Sequence, residues 1–318
     1  MSDNSDFLAD ALDGLSATPR TLPCKYLYDA RGSELFEAIC DTRDYYVTRA
    51  DLALHDAHLA EIAGLIGPDA HVIEFGSGAG VKTRHLLAAL ESPRAYTPIE
   101  ISEAALRASA AQLQQAFTNL DIEPLCADYT QPIDDSALEL DPPARRRVMY
   151  FPGSTISNFE HGEALEFLAR MARIIGKSGG VLIGVDLLKS EERLIKAYDD
   201  DQGVTAAFNL NLLHRMIRDL DAAIDVEAFR HEARFNSQLG RVEMHLVAKT
   251  DTEIGLAGQR FSFDAGESIH TENSHKYSID GFTDLARSAG LRSEQVWTDP
   301  DGLFSMHWLI LDSSSAQA

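Results

Sequence analysis

Strand-like and helical segments alternate along the chain between about residues 51 and 186. Residues 51–66 have apolar side chains at helical spacing, residues 71–75 form a short apolar run, and residues 80–90 return to helical spacing. Such alternation is typical of a parallel sheet with helices on both faces, so we predict an α/β fold. The remaining candidates are strands at 95–101, 123–128, 148–153 and 180–186, and helices at 102–117 and 163–175.

After Asp186 the pattern changes to helical segments followed by segments of period two. Residues 190–200 and 204–220 have helical spacing. In residues 241–250 the apolar side chains fall on one face and the polar side chains on the other, which predicts a half-buried antiparallel strand.

The end of the chain returns to the first pattern. Residues 279–289 are helical, and residues 293–299 with 304–312 are expected to close the parallel sheet as an antiparallel pair. We therefore predict a sheet domain that is interrupted by a second, smaller domain. The predicted bounds are 51–188 and 278–318 for the sheet domain, and 1–50 and 189–277 for the second domain.

The charge balance limits the partners of the chain. Asp and Glu number 50 against 28 Lys and Arg, so the formal net charge is -22. This charge repels nucleic acid and anionic membranes, and the basic run at 145–147 precedes an apolar strand. We expect a small-molecule substrate, with no nucleic acid and no membrane as partner.

Cysteine usage and the N-terminus predict the compartment. Cys24, Cys40 and Cys126 are odd in number and lack the spacing of a metal site, which argues against a disulfide framework. The acidic N-terminal segment lacks the pattern of a signal peptide, and no window approaches the ~18 apolar residues of a membrane span. We predict a cytoplasmic protein, and we expect a monomer.

Three glycines at alternate positions, Gly76, Gly78 and Gly80, follow the apolar run 71–75. Glycine lets the backbone approach a nucleotide-like ligand closely, and the N–H groups of the following helix face that ligand. The pattern alone is weak evidence. A P-loop is excluded because GxxxxGK[ST] is absent, and the dinucleotide fingerprint is matched only in its first two glycines.

Acidic residues beside the loop indicate the ligand. A carboxylate at Glu74 would repel a pyrophosphate but attract S-adenosylmethionine (SAM), which carries an ammonium and a sulfonium. Glu100 ends the next strand candidate, where an acid can bind both ribose hydroxyls, and Asp128 could accept from an adenine amino group. With the glycine loop, these acids resemble the class I SAM-dependent methyltransferases.

Longer stretches resemble the histidine Nα-methyltransferases of the ergothioneine pathway. The resemblance runs from about Pro23 to Leu311. It implies a Rossmann-like class I methyltransferase sheet interrupted by a smaller α+β substrate domain. It also implies SAM-dependent trimethylation of L-histidine to hercynine. The stretches that carry it are KYLYDARGSELFEAI, DYYVTR, FPGSTISNF, KAYDDDQGVTAAFN, RVEM and TENSHKY.

The resemblance also implies roles for individual residues. The cofactor contacts are Gly76, Lys82, Glu100, Asp128 and Tyr129, to which the arguments above add Glu74 and Gly78. The carboxylate contacts are Asn158 and Tyr198, and the neighbours of the α-amine are Gly153, Thr155 and Tyr28. The imidazole pocket is formed by Tyr45, Met244, Glu272 and Ser274. Those taken to be catalytic are Asn158, Tyr198 and Tyr28.

The residue types in the predicted pocket suit an imidazole. Glu272 and Ser274 lie two apart, so on a strand both side chains point one way and can contact the two ring nitrogens. An unpaired buried polar group costs about 1 to 3 kcal/mol, so such a pair would discriminate against other side chains. The alternative is that residues 271–274 form a surface turn. Likewise, Tyr45 and Tyr198 are either core residues or faces for a quaternary ammonium product.

The proposed reaction requires a neutral amine. A free amino acid is largely ammonium at neutral pH, so the site must lower the amine pKa or remove its proton. No histidine base lies at the matched positions, so alignment of nitrogen, methyl and sulfur is expected to supply most of the catalysis. We assign no metal, because His245, His270 and His275 show no ligand constellation in the sequence.

Several alternatives remain open from the sequence. A related enzyme could methylate the α-nitrogen of tryptophan or tyrosine, although the Glu272 and Ser274 pair argues against it. From another class, an NAD-dependent dehydrogenase would need a residue that handles hydride. A third alternative is a SAM-binding module without turnover.

Overall fold

The computed structural model describes residues 2–77 and 80–312. The chain divides into two units, each of which is formed by two separate segments. The sequence places the first boundary after residue 50, and the first helix of the larger unit begins at Val47. The sheet unit comprises Val47–Leu187 and Tyr277–Ala318, and the insert unit comprises Met1–Tyr46 and Leu188–Lys276.

The secondary-structure elements are numbered here in chain order. The described helices are α1 (Ser2–Ser16), α2 (Ala30–Asp41), α3 (Val47–Ile66), α4 (Val81–Ala89), α5 (Glu103–Ala116), α6 (His161–Ile175), α7 (Glu191–Tyr198), α8 (Val204–Leu220) and α9 (Ile279–Ser288). The described strands are β1 (Arg20–Thr21), β2 (Ala70–Phe75), β3 (Ala95–Glu100), β4 (Asp121–Ile122), β5 (Leu125–Cys126), β6 (Arg146–Phe151), β7 (Gly180–Asp186), β8 (Ala223–Ile224), β9 (Phe229–Asn236), β10 (Arg241–Ala248), β11 (Thr252–Leu256), β12 (Gln259–Phe263), β13 (Ser268–His275), β14 (Leu291–Thr298) and β15 (Phe304–Leu311). Within the described part of the chain, we find no helix with the length and apolar character that crossing a membrane requires.

The sheet unit contains one mixed sheet with the strand order β14-β15-β7-β6-β2-β3-β4, and β5 also pairs with β3. The strands from β7 to β4 are parallel, whereas β15 is antiparallel to both β7 and β14. This confirms the predicted α/β fold with a parallel sheet closed by an antiparallel pair. All residues of β2 and β7 are buried, as expected for parallel strands that helices cover on both faces.

Helix α6 anchors one face of the sheet. It begins with a capping box between Glu160 and Glu163, and it is followed by the C-cap residue Gly176, where φ is 61°. Its Phe167 ring lies 5.3 Å from Phe75 and 5.0 Å from Phe151, measured between ring centroids. Because these two phenylalanines are the last residues of β2 and β6, the packing fixes the ends of the strands from which the loops leave.

The insert unit is α+β, with a four-stranded sheet β1-β13-β10-β9 and a three-stranded sheet β12-β11-β8. The expectation that β10 is half-buried was wrong. Strand β10 is central and lies between β13 and β9, and even Arg241 and His245 on its polar face are only 8% exposed. On that face, Arg241 donates to Glu243 within β10, Asn236 of β9 donates to Glu243, and Ser268 of β13 hydrogen-bonds to His245.

Close packing at Gly180 provides a test of the sheet. A Cβ atom at Gly180 would lie 2.3 Å from the indole ring of Trp308, so Gly180→Ala must displace a buried ring. We expect this variant to lose about 1 to 3 kcal/mol of unfolding free energy in a denaturant titration. The matched control is Gly64→Ala in α3, where a Cβ meets no atom within 4 Å and removal of glycine from a helix stabilises by roughly 0.5 to 1 kcal/mol. Equal effects of the two substitutions would contradict the packing.

Candidate functional site

The carboxyl ends of β2, β3 and β5 bring the predicted cofactor residues to one edge of the sheet. Gly76 follows β2 with φ of 69°, a left-handed conformation that favours glycine, and its N–H donates to the Ile99 carbonyl at 2.9 Å. A Cβ at Gly76 would lie 3.5 Å from the Tyr129 ring, so these two predicted residues are neighbours. Gly78 lies outside the described residues.

The two acids that follow β3 and β5 have different surroundings. Glu100 accepts a hydrogen bond from the Ile101 N–H at 2.9 Å, and partial burial raises the pKa of its carboxyl group. Asp128 accepts from the N–H and the hydroxyl of Thr130 at 2.9 and 2.6 Å, which holds it in a turn. Both acids therefore lie at the strand ends where a nucleoside is expected to bind.

Glu74 lies under the glycine loop and is 2% exposed. Its Oε2 accepts hydrogen bonds from the hydroxyls of Tyr96 in β3 and Thr83 in α4, at 2.5 and 2.7 Å. Burial raises the pKa of Glu74 to about 7, although these hydrogen bonds oppose the shift. The attraction to a cationic ligand that the sequence predicts at Glu74 therefore depends on pH. Through these hydrogen bonds the carboxylate connects β2, β3 and α4 around the loop.

Lys82 and Gly153 both donate hydrogen bonds to Asp51, a residue that the sequence analysis did not single out. The carboxylate of Asp51 in α3 is fully buried, and its Oδ2 accepts from both the Lys82 ammonium and the Gly153 N–H, the latter at 2.9 Å. The signal was present in the sequence, because Asp51 and His55 are polar residues at helical spacing on the buried face of α3.

The segment after β6 forms a tight turn that leads into the short 3-10 helix Thr155–Asn158. Gly153 has φ of 78°, and Ser154 has φ of 60°. The buried Ser154 hydroxyl accepts from the Asp186 N–H at 2.8 Å, which ties the turn to β7. Thr155 donates to the Pro152 carbonyl at 3.3 Å, and Asn158 is half-buried at the end of this turn.

The predicted imidazole pocket lies within the insert unit. Glu272 and Ser274 are both buried in β13, at 8% and 4% exposure, and Met244 is opposite Glu272 in register. The Tyr28 hydroxyl donates to Glu272 at 3.3 Å, and the Tyr198 hydroxyl lies 2.7 Å from the Ser274 hydroxyl. The alternative of a surface turn at 271–274 is wrong, because these residues belong to an internal strand.

Aromatic rings surround these polar groups. Tyr45 is 7% exposed, and its ring centroid lies 5.9 Å from that of Tyr198 in an edge-on arrangement. Phe36 lies between Tyr28 and Tyr45, at 5.5 and 6.2 Å from their ring centroids. Tyr45 and Tyr198 are thus core residues of the insert unit, while the hydroxyls of Tyr28 and Tyr198 lie against Glu272 and Ser274.

Burial controls the ionisation of Glu272. It raises the pKa of the carboxyl group to about 7, while the Tyr28 hydrogen bond and the Lys276 charge oppose the shift. A carboxylate with this pKa is available near neutral pH as a strong acceptor in an apolar surrounding.

The sequence profile of the family described as "Histidine-specific methyltransferase, SAM-dependent" matches residues 7–311, which include all the groups above. The chain belongs to this family. The match covers both units, and it disfavours the dehydrogenase alternative.

Curated relatives of the methyltransferase agree with the family. It is 38% identical over 302 residues to a histidine N-alpha-methyltransferase from Mycobacterium tuberculosis, across 93% of this chain and 92% of the relative. It is 37% identical to the protein of the same name from Mycolicibacterium smegmatis, with the same coverage. It is 30% identical over 293 residues to ergothioneine biosynthesis protein 1 from Neurospora crassa, across 88% of this chain and 32% of that protein.

Lys276 of the methyltransferase is a second residue that the sequence analysis missed. It is 5% exposed, and its ammonium donates to the hydroxyls of Tyr198 and Ser274 at 2.9 and 2.6 Å. It also lies 4.6 Å from the centroid of the Tyr198 ring. The sequence signal for Lys276 is its place in the motif TENSHKY. A residue two positions after Ser274 points to the same side of an extended segment as Ser274 does.

The expectation that the histidines show no ligand constellation was wrong. Glu243, His245 and His270 each offer a ligand atom, and these atoms lie within 4.8 Å of one another. Arg241, however, donates to Glu243 at 2.8 Å, and burial lowers the pKa of His245 to about 4. The group is a hydrogen-bonded polar cluster with the donor types of a metal site, and the assignment of no metal stays a prediction.

The raised pKa of Glu272 predicts a pH-dependent stability difference. At Glu272 the folded state binds more protons than the unfolded state between pH 4.5 and about 7, so the stability that this group contributes is lost as pH rises through this window. Glu272→Gln removes the titration. We subtract the unfolding free energy of the wild type from that of the variant. We expect this difference to be larger at pH 8 than at pH 4.5 in denaturant titrations, which means that the variant gains stability relative to the wild type as pH rises. The exposed Glu227→Gln should show no such trend, and a pH-independent difference for Glu272→Gln would contradict the prediction.

Proposed function

We propose that the methyltransferase transfers three methyl groups from SAM to the α-nitrogen of L-histidine, giving hercynine, which is the first step of ergothioneine biosynthesis. The observation that carries the substrate is the buried pair Glu272 and Ser274 on one side of β13. Its relatives from Mycobacterium tuberculosis and Neurospora crassa carry names that support the reaction and the pathway.

Hydrogen-bond chemistry supports imidazole over indole or phenol. In this proposal, Glu272 accepts from one ring N–H and the hydroxyl group of Ser274 bonds to the second ring nitrogen. Indole has one ring nitrogen and phenol has none, so neither ring can bond to both Glu272 and Ser274 through ring nitrogens. Met244 is buried and pairs with Glu272 in register, so its side chain lies beside Glu272 on the same face and adds an apolar surface.

The sheet unit supports SAM as the methyl donor. Gly76 allows close approach of a ligand to the backbone, and Tyr129 offers a ring beside it. Lys82 is suited to a carboxylate of the ligand, whereas Glu100 and Asp128 are suited to its ribose and adenine. Bound SAM supplies an electrophilic methyl group. The residues that we propose to hold it are Glu74, Gly76, Gly78, Lys82, Glu100, Asp128 and Tyr129.

Alignment of the α-amine requires that the carboxylate and the ring of the substrate are both held. We assign the carboxylate to Asn158 and Tyr198, and the surroundings of the amine to Gly153, Thr155 and Tyr28. The aromatic faces of Tyr45 and Tyr198 suit a product with a quaternary ammonium, at roughly 0.5 to 2 kcal/mol for each contact. A monomeric state, a cytoplasmic location and the absence of a metal stay predictions of the sequence.

A panel of amino acids tests the reaction directly. Incubation with SAM and each amino acid in turn should add one, two and then three methyl groups to histidine, as measured by mass spectrometry. Tryptophan and tyrosine should remain unmodified, because neither side chain can bond to both Glu272 and Ser274 through ring nitrogens. Binding of SAM without methylation of any amino acid would instead support the module without turnover, and stabilisation by NAD in a thermal shift would support the dehydrogenase.

The substrate pocket is tested by Glu272→Ala. We expect about 10- to 100-fold weaker binding of histidine in calorimetry, because the imidazole N–H loses its acceptor, and unchanged binding of SAM. Glu227→Ala, at an exposed position of the same unit, is the matched control and should bind histidine normally. An unchanged histidine affinity of Glu272→Ala would mean that the imidazole binds elsewhere.

A further inference from the structure

Lys276 is a buried cation beside the proposed substrate contacts. It directly follows β13 and is 5% exposed, and its ammonium donates to the hydroxyls of Ser274 and Tyr198 at 2.6 and 2.9 Å. Moving an ammonium out of water is costly, and lysine is almost never buried unless polar groups surround it. The two hydroxyls that accept these hydrogen bonds belong to residues that we assign to the ring and the carboxylate of the substrate. Lys276 is therefore placed to act on the substrate through them.

Chemistry fixes the direction of these hydrogen bonds. An ammonium carries only donors, so the oxygens of Ser274 and Tyr198 each present a lone pair to Lys276, and their hydrogens point away from it. The two oxygens also lie 2.7 Å apart and share a hydrogen bond in which either can donate. Because Lys276 donates to both oxygens, each hydroxyl can turn its hydrogen toward a ligand and remain hydrogen-bonded.

The charge of Lys276 also acts on Glu272. Burial raises the pKa of Glu272 to about 7, and the Tyr28 hydroxyl and the Lys276 charge both oppose that shift. The titratable side chains that face Glu272 in the described part of the unit are Tyr28, Tyr45 and Lys276, while Met244 on the neighbouring strand is uncharged. Lys276 is the positive charge in this set, so it favours the carboxylate form of Glu272.

The position of Lys276 disfavours a protonated ring. A ring nitrogen that hydrogen-bonds to Ser274 lies about 3 Å from the hydroxyl oxygen. It therefore lies within about 6 Å of the Lys276 ammonium, where a second positive charge is repelled. A neutral imidazole has one N–H and one lone pair. The N–H suits the Glu272 carboxylate, and the lone pair suits the Ser274 hydroxyl as donor.

We propose that Lys276 is a positioning residue that selects the neutral imidazole of the substrate. Its ammonium directs the Ser274 hydroxyl to the lone pair of the ring and the Tyr198 hydroxyl to the substrate carboxylate. The ring N–H then binds Glu272. This inference rests on the proposed function, because its ligand is L-histidine.

Calorimetric titration with L-histidine between pH 6 and pH 9 tests this role. Lys276→Met keeps an unbranched side chain without the ammonium. Glu272 then loses a favourable charge and its pKa rises further, so histidine should bind about 10- to 100-fold more weakly at pH 7. The loss should shrink toward pH 9, where Glu272 is ionised in both proteins. A purely structural role would give the same loss at every pH. The dissociation constant of SAM should stay unchanged.

Lys276→Gln separates charge from hydrogen bonding and provides a second variant if Lys276→Met does not fold. Its amide still donates to the hydroxyls but has no charge, so the pH-dependent loss should persist with a smaller loss at pH 9. The matched control is Lys249→Met, an exposed lysine directly after β10, which should keep the wild-type affinities. A loss that is constant across pH, or wild-type binding by the folded variants, would overturn the role of Lys276.

The wild-type protein tests the protonation state without any variant. Histidine labelled with ¹⁵N in the ring, bound at pH 6 to saturating protein, should show one protonated nitrogen and one lone-pair nitrogen in NMR spectra. Two protonated nitrogens would overturn the selection of the neutral ring. Failure of the proposed function is a separate outcome, because the wild-type protein would then neither bind nor methylate histidine at any pH.

Discussion

The hydrogen bonds to the buried carboxylate of Glu74 hold the centre of the sheet unit together. Its Oε2 accepts from Tyr96 on β3 and Thr83 on α4, so one oxygen joins β2 to the next strand and to the helix after the glycine loop. A buried carboxylate is costly unless donors surround it, and here the donors come from the elements that define the loop. The position of the cofactor residues therefore depends on this interaction.

The insert unit also contains a buried carboxylate that accepts a hydrogen bond from a tyrosine hydroxyl, and there we propose that it binds the substrate. Glu272 is buried, its pKa is raised to about 7, and a tyrosine hydroxyl donates to it, as at Glu74. At Glu74 the donors are fixed parts of the sheet, whereas at Glu272 and Ser274 the surrounding rings leave the polar groups beside an aromatic wall. The first arrangement stabilises a loop, and the second supports the proposed selectivity for imidazole, since a buried acceptor favours a ligand that can donate to it.

Much of the fold followed from patterns that are local in sequence. The alternation of strands and helices predicted the parallel sheet, and helix α8 has the bounds that spacing alone gave, residues 204–220. The period-two pattern of β10 predicted a strand but the wrong exposure. The alternation of apolar and polar residues shows which face of a strand is polar. Whether that face is exposed to water depends on the strands and side chains around it, which for β10 are those of β9 and β13 on either side.

The sequence by itself determined the fold class, the glycine loop and the residue types that suit SAM and histidine, because these depend on neighbours in the chain. Only the tertiary structure decided which of them meet. Asp51 contacts Gly153, 102 residues away, and Tyr28 contacts Glu272, 244 residues away. The contacts of Asp51 and Lys276 were hidden for this reason: each is one polar residue in an ordinary segment until packing removes it from water and brings its partners together.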